Sequence, residues 1–222
     1  MTVTLDDLRR VKLFAGLAPA SLAALAPLAS ARSYRDGDSI LLEGEEAAGV
    51  LFVLEGAARV YRTSPEGREQ TLILLHAGDA LNLPTPFAPS PVAPASAVAV
   101  GDSRLLALPL AAFRRAASEI PDLALAVMGD LAARLRHFTR LTYDLSLRSV
   151  RGRLARFLLR HASADAPSPV RWTQEEVAAQ LGTVREVVSR TLRAFVREGL
   201  IRLDRQRILI LDREALERES ES

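Results

Sequence analysis

The stretch from Trp172 to Ile201, WTQEEVAAQLGTVREVVSRTLRAFVREGLI, leaves the chain few folds to choose from. Thr173 followed three residues later by Glu176 has the spacing of a capping box, in which hydroxyl and carboxylate each satisfy the other's backbone N–H. Val177, Ala178 and Leu181 then recur at helical spacing. Gly182 stands where a helix ends in the left-handed conformation. A second helix follows, with Thr183 as its expected cap. Val187, Val188, Thr191, Leu192 and Phe195 form its inner face, and Arg185, Glu186, Ser189, Arg190 and Arg193 its outer face. Two short helices joined by a tight turn, the second rich in arginine outside, can bring side chains to base edges and phosphates in a major groove. A surface hairpin with a solvated charged face fits the same pattern, so the pair alone leaves both readings open.

The rest of the composition narrows the classes. A chain of 222 residues with 49% apolar and 25% charged residues suggests two modest domains or one large one, with a packed core. No cysteine is present, which excludes disulfides, thiolate catalysis, iron–sulfur clusters and cysteine-ligated zinc. The three histidines, His76, His137 and His161, are too scattered to suggest a metal cluster. No run of 18 uncharged apolar residues and no signal peptide are seen, so a soluble cytoplasmic protein is expected. Residues 150 to 213 hold 13 Arg against 7 Asp and Glu, whereas residues 1 to 149 hold 15 basic and 16 acidic residues. A near-neutral front and a basic rear suit a sensor or scaffold followed by a nucleic-acid binder.

Taken in order, residues 4 to 30 read as helical, punctuated by Gly16 and Pro19. From Ala31, short apolar runs alternate with turn signals: Asp36-Gly37, Glu43-Gly44, Glu55-Gly56, Pro65-Glu66-Gly67 and Gly78-Asp79. That spacing indicates an antiparallel sandwich or barrel. The strand candidates are Ser39 to Leu42, Val50 to Leu54, Ala58 to Arg62, Gln70 to Leu75, Ala95 to Val100 and Arg104 to Pro109. Prolines at 84, 86, 89, 91 and 94 rule out a central strand there and predict a rigid extended loop. From about Pro121 the period is helical. Met128, Leu131, Leu135, Phe138, Thr142 and Leu145 step by 3, 4, 3, 4 and 3, a seam for pairing with a second copy. A helix of about 27 residues is ~40 Å long, too long for a small roll to cover. Packing of the seam on the chain's own sheet is the alternative. Another helix begins at Val150, Asp165 to Pro169 form a loop, and Ile201 to Leu203 with Ile208 to Leu211 flank a hairpin of wing type.

With these motifs in hand, the chain resembles the Crp/Fnr family of transcription regulators over nearly its whole length. GDSILLEGEEAAGVLFVLEGAARVYR and EGREQTLILLHAGD resemble the family's β-roll of cyclic-nucleotide-binding type. RGRLARFLL, TQEEVAAQLGTVREVVSRTLRAF and REGLI resemble its winged helix-turn-helix. The resemblance implies an α+β chain with an antiparallel β-roll sensor-like domain at 1–118, a dimerisation helix at 119–148 and a DNA-binding domain at 149–222. It places Arg185, Glu186 and Arg190, with Ser189 in some members, as base-reading side chains. Arginine can bond guanine bidentately, and glutamate can accept from the cytosine amino group. Thr173, Gln174 and Thr183, near helix N-termini, are the expected phosphate clamps. An i,i+4 salt bridge to Arg190 is the competing use of Glu186.

The front half departs from the family's pattern. Nucleotide-binding members carry a Phe-Gly-Glu element and an Arg-Ser-Ala element, whose glutamate and arginine hold the ribose and the cyclic phosphate. Here the corresponding residues are Leu81-Asn82-Leu83 and Ala95-Ser96-Ala97. A buried phosphate without a cationic partner is costly, so cyclic AMP is not expected to bind, and no cofactor or metal is expected. The expected function is a homodimeric transcription regulator acting on double-stranded DNA with RNA polymerase as partner, an activator without enzymatic chemistry. Three readings compete: the same regulator switched by a small molecule or haem, a metal-dependent β-roll enzyme, and a protein-binding module.

Overall fold

The computed structural model describes residues 3–161, 173–204 and 207–221. The expected loop at Asp165 to Pro169, Trp172 and the tip of the wing at 205–206 lie outside them. Among the described residues the chain forms two compact units, Met1–Arg62 with Leu72–His137, and Thr63–Thr71 with Phe138–Ser222.

The first unit opens with short helices α1 (Leu5–Arg9) and α2 (Pro19–Leu25), as the opening pattern predicts. Six antiparallel strands follow: β1 (Ser30–Tyr34), β2 (Ser39–Leu41), β3 (Gly49–Thr63), β4 (Glu69–His76), β5 (Ala80–Leu81) and β6 (Ser96–Pro109). Their order is β1-β6-β3-β4, with β2 also on β6 and β5 on β3. The first six residues of β3, Gly49–Leu54, are buried on both faces, which explains their continuous apolar run, whereas β6 largely alternates buried with half-buried residues. Val50, Phe52, Leu54, Leu106 and Leu108 face a cluster shared with the helices, while Leu51, Val53, Leu105 and Ala97 face the interior of the roll. Phe14, Phe52 and Phe113 form a chain of rings at 4.9 and 6.0 Å through the first cluster.

One of the expected turns, Glu55-Gly56, is not a turn. Val50 to Leu54 and Ala58 to Arg62 belong to one strand, β3, and the two segments of β6 likewise join. The Glu55-Gly56 signal marks a bulge, where the register of β3 against β6 shifts between Val53 and Ala57. Gly56 has φ +76°, and a Cβ there would lie 2.2 Å from Ser103 Oγ. Only glycine fits this approach. Strand β1, which apolar patterning does not announce, pairs in full with Ser103 to Ala107 of β6. The proline-rich segment is a loop, pinned at its end by two backbone hydrogen bonds: Ala93 N–H donates to Glu45 O at 2.9 Å, and Ala47 N–H to Pro91 O at 2.9 Å.

Helix α3 (Leu110–Glu119) leads into α4 (Pro121–Leu147), of which residues up to His137 belong to the first unit. The second unit continues with α5 (Val150–His161), α6 (Gln174–Leu181), α7 (Arg185–Arg197), the hairpin β7 (Ile201–Asp204) and β8 (Arg207–Ile210), and α8 (Arg213–Ser220). Its core joins Leu154, Phe157 and Leu158 of α5 to Val177, Leu181, Val188, Leu192, Phe195 and Leu216. Among the described residues no helix is long and apolar enough to cross a membrane, and no three His, Cys, Asp or Glu side chains converge as metal ligands.

Candidate nucleic-acid interface

Helix α6 begins as its sequence dictates. Glu176 N–H donates to Thr173 Oγ1 at 3.1 Å, and Thr173 N–H donates to the Glu176 carboxylate at 2.6 Å. Gly182 closes it at φ 63°, ψ 44°. The turn then differs from expectation by one residue. Val184, not Thr183, precedes α7, and no side chain caps that helix. Thr183 instead lies half-buried in the turn, its N–H donating to Ala178 O at 3.1 Å. The uncapped N-terminus leaves backbone donors of the first turn of α7 without side-chain partners, beside the side chains of Arg185 and Glu186.

At 3.6 residues per turn, Arg185, Ser189, Arg193, Glu186 and Arg190 span an arc of about 140° on α7. Arg185, Glu186, Arg190 and Arg193 are exposed and Ser189 is half-buried. The opposite arc is the core: Val188 and Phe195 are fully buried and Leu192 nearly so, while Val187 and Thr191 are half-buried. Among the described residues Glu186 and Arg190 are not paired with each other, so the competing i,i+4 bridge is not formed. Ser189 is engaged: its Oγ accepts from Arg193 Nη2 at 3.2 Å. Thr173 is exposed and Gln174 half-buried at the start of α6. One candidate escaped the sequence reading. Arg202 is exposed on β7 beside the buried Ile201, and the alternation Ile201-Arg202-Leu203 was the signal for it.

The scaffold beneath this face is tied by Arg151 of α5. It donates to both carboxylate oxygens of Glu198, at the end of α7, and of Glu219, on α8. Its guanidinium also lies 4.7 Å from the Phe195 ring centroid. The Arg151 hydrogen bonds hold the Glu198 carboxyl below the usual carboxylate range.

The six expected seam residues of α4 divide into two flanks. Met128 is 57% and Leu135 69% exposed, and Thr142 is exposed with them. Leu131, Phe138 and Leu145 are half-buried, and Leu131 packs on the first unit's own core. Continuing the exposed flank gives Leu125, Met128, Ala132, Leu135, Thr139, Thr142 and Ser146, again spaced 3 and 4. In the roll, Leu81 and Ala97 are packed in the interior cluster with Leu51, Val53, Leu75 and Leu105, and Ala95 is buried. Asn82 takes φ 63°, a conformation open to Gly and Asn, and its Nδ2 donates to Gly49 O at 3.1 Å.

Residues 31–119 match the cyclic nucleotide-binding domain family and residues 152–219 the Crp-like helix-turn-helix domain family. The chain is 30% identical over 220 residues to the CRP-like cAMP-activated global transcriptional regulator of Mycobacterium tuberculosis, covering 96% of this chain and 98% of that protein. It is 34% identical over 191 residues to the cyclic AMP receptor protein of Thermus thermophilus, covering 86% and 88%. Among solved structures, a Crp/Fnr-family regulator from Eubacterium rectale superposes with a TM-score of 0.80 at 29% identity, covering 95% of this chain and 98% of that one. Antiparallel roll, long helix and helix-turn-helix, together with these likenesses, make this chain a member of the Crp/Fnr family of transcription regulators.

Proposed function

We propose that the chain works in the cytoplasm as a homodimeric activator that binds an inverted-repeat, TGTGA-like operator and recruits RNA polymerase without needing cyclic AMP. The observation that carries this reading is α7, with Arg185, Glu186 and Arg190 exposed on one arc and a buried apolar arc behind them. Arg185 and Arg190 take guanines and Glu186 takes the cytosine amino group on the opposite strand. Thr173, Gln174 and Thr183 hold phosphates. Thr173 Oγ1 accepts from Glu176 N–H, which leaves its hydroxyl proton for a phosphate oxygen. Ser189 could compete with Arg185 for the first guanine, as in a TTGAT reader. Its hydroxyl oxygen is held by Arg193, and a bidentate Arg–guanine pair outweighs what the remaining proton offers. Pairing of two copies runs along the exposed flank of α4 around Met128, Leu135 and Thr142, with Leu131, Phe138 and Leu145 at its edge.

Independence of cyclic AMP rests on the buried apolar side chains of Leu83 and Ala95, which stand where nucleotide-binding members carry the ribose-holding glutamate and the phosphate-holding arginine. A second reading, the same regulator switched by a ligand in the roll, is favoured by the names of the two curated relatives, both cAMP proteins. Selection of operators from a random-DNA pool, with and without cyclic AMP, separates these. We expect one TGTGA-like inverted repeat in both pools. A TTGAT consensus would overturn the role of Arg185, and enrichment only with the nucleotide would favour the switched regulator.

A further inference from the structure

Helix α4 ends at Leu147 and α5 begins at Val150, so only two residues connect the helices. The junction is held by arginines. Arg153 Nη1 donates to the carbonyls of Asp144, Leu145 and Arg148 at 3.3, 3.2 and 2.7 Å, satisfying the last turn of α4. Arg156 lies 3.4 Å from the Asp144 carboxylate across the junction. The row continues one helical turn on. Arg160 stands four residues beyond Arg156 on α5, and Arg140 four residues before Asp144 on α4, so each lies one helical turn along its own helix from the Arg156–Asp144 contact.

Little offsets their charge. Asp144 is already shared between Arg148, at 2.9 Å, and Arg156. Arg140 is exposed and has no ion pair among the described residues. Arg160 makes one long hydrogen bond, 3.4 Å to Arg156 O. Desolvation, then the neighbouring Arg156 and Arg140 charges, hold Arg160 below the usual arginine pKa, and Asp144 only partly opposes them. Arg156 against an already shared carboxylate, with Arg140 and Arg160 one turn away on their helices, gives a row of guanidinium forks suited to a dianion with several acceptor oxygens.

We propose that Arg140, Arg156 and Arg160 form a binding site for a phosphoryl group across the α4–α5 junction, separate from the recognition arc of α7. The phosphoryl group is supplied either by a small phosphorylated solute or by the DNA backbone, and the two sources are distinguishable.

The test uses the full chain and sodium pyrophosphate, titrated by calorimetry at low salt without DNA. Wild type is expected to give a saturable isotherm and a higher melting temperature with the anion. Arg140→Gln with Arg160→Gln should weaken pyrophosphate at least tenfold. A charge-matched control, Arg9→Gln with Arg213→Gln, should change it less than twofold. Because the site is a cluster of like charges, the double variant should melt no lower than wild type without anion. Arg140→Lys with Arg160→Lys keeps the charge and loses the forks, and should fall between. If random duplex DNA displaces pyrophosphate, and the glutamine variant reduces the salt slope of DNA binding by roughly 1–2, the backbone is the source. If both bind together, a free solute is. Absence of a saturable isotherm, or equal binding by wild type and the glutamine variant, overturns the site.

Discussion

Asp7 shows how one side chain ties the amino-terminal segment to the sheet. Its carboxylate accepts from Arg104 Nη1 and Nη2 at 2.9 and 3.0 Å and from the Thr4 N–H and hydroxyl at 3.0 Å each. The Arg104 hydrogen bonds, ahead of all other causes, lower its pKa from 3.8 to about 2. The folded pKa is depressed, so the stabilisation is complete above the unfolded value and is lost as pH falls from about 4 to about 2. It amounts to ~2 kcal/mol at neutral pH. Asp7→Asn should therefore lower stability by roughly that amount at pH 7 and by far less at pH 2, as urea titrations at the two pH values would record. On the recognition arc, Arg185→Ala should leave folding intact, because the side chain is exposed and has no tertiary partner among the described residues. It should also lose ~1–3 kcal/mol of discrimination at the first guanine. Competition between the operator and its guanine-to-adenine variant measures this, and an unchanged preference would move Arg185 from base to phosphate. Residue types on α7 were legible in advance because helical periodicity sorts inner from outer positions. The engagement of Ser189 by Arg193 was not, since it depends on rotamers that the spacing leaves open.

At the scale of elements, Arg151 joins α5 to the ends of α7 and α8. Arg151→Met keeps the aliphatic stem over Phe195 and removes the ion pairs to Glu198 and Glu219. These pairs are partly exposed, with side chains 29–46% accessible, so a loss of about 1–2 kcal/mol is expected rather than the larger cost of a buried network. Thermal melting measures it, and an unchanged midpoint would show that α8 is held by apolar contacts alone. The exposed flank of α4 makes a different prediction. Leu135→Asp alters a side chain 69% exposed in the single chain, so the fold should survive while a desolvated charge breaks the pairing of two copies. Sedimentation should show wild-type dimers and variant monomers at micromolar concentration; a wild-type monomer would end the idea. The 3–4 spacing of α4 was visible in the sequence. Which of two adjacent flanks stays outside was not, because both are apolar and only packing against the first unit's core selects Leu131 over Ala132.

For the molecule as a whole, two-fold pairing requires an inverted repeat, with recognition helices entering successive major grooves about 34–36 Å apart. Footprinting should find half-site centres roughly one helical turn apart, separated by about six unread base pairs. Inserting five base pairs between the half-sites should rotate them to opposite faces and abolish cooperative binding, and tolerance of the insertion would argue against a two-fold dimer. The sequence by itself determined the helix-turn-helix, since capping box, left-handed glycine and amphipathic second helix are all signals between residues a few positions apart. It also determined the antiparallel character of the front half, through turn residues that demand positive φ. Tertiary structure decided the rest. Gly56 became a bulge rather than a turn because β6 approaches it too closely for a Cβ. Ser30–Tyr34 became a strand because β6 offered an open row of partners. Asp144 came to face Arg156 because the two-residue connection between α4 and α5 brings them within reach. Each of these depends on contacts between segments distant in sequence or on the path of the backbone, which residue pattern alone does not encode.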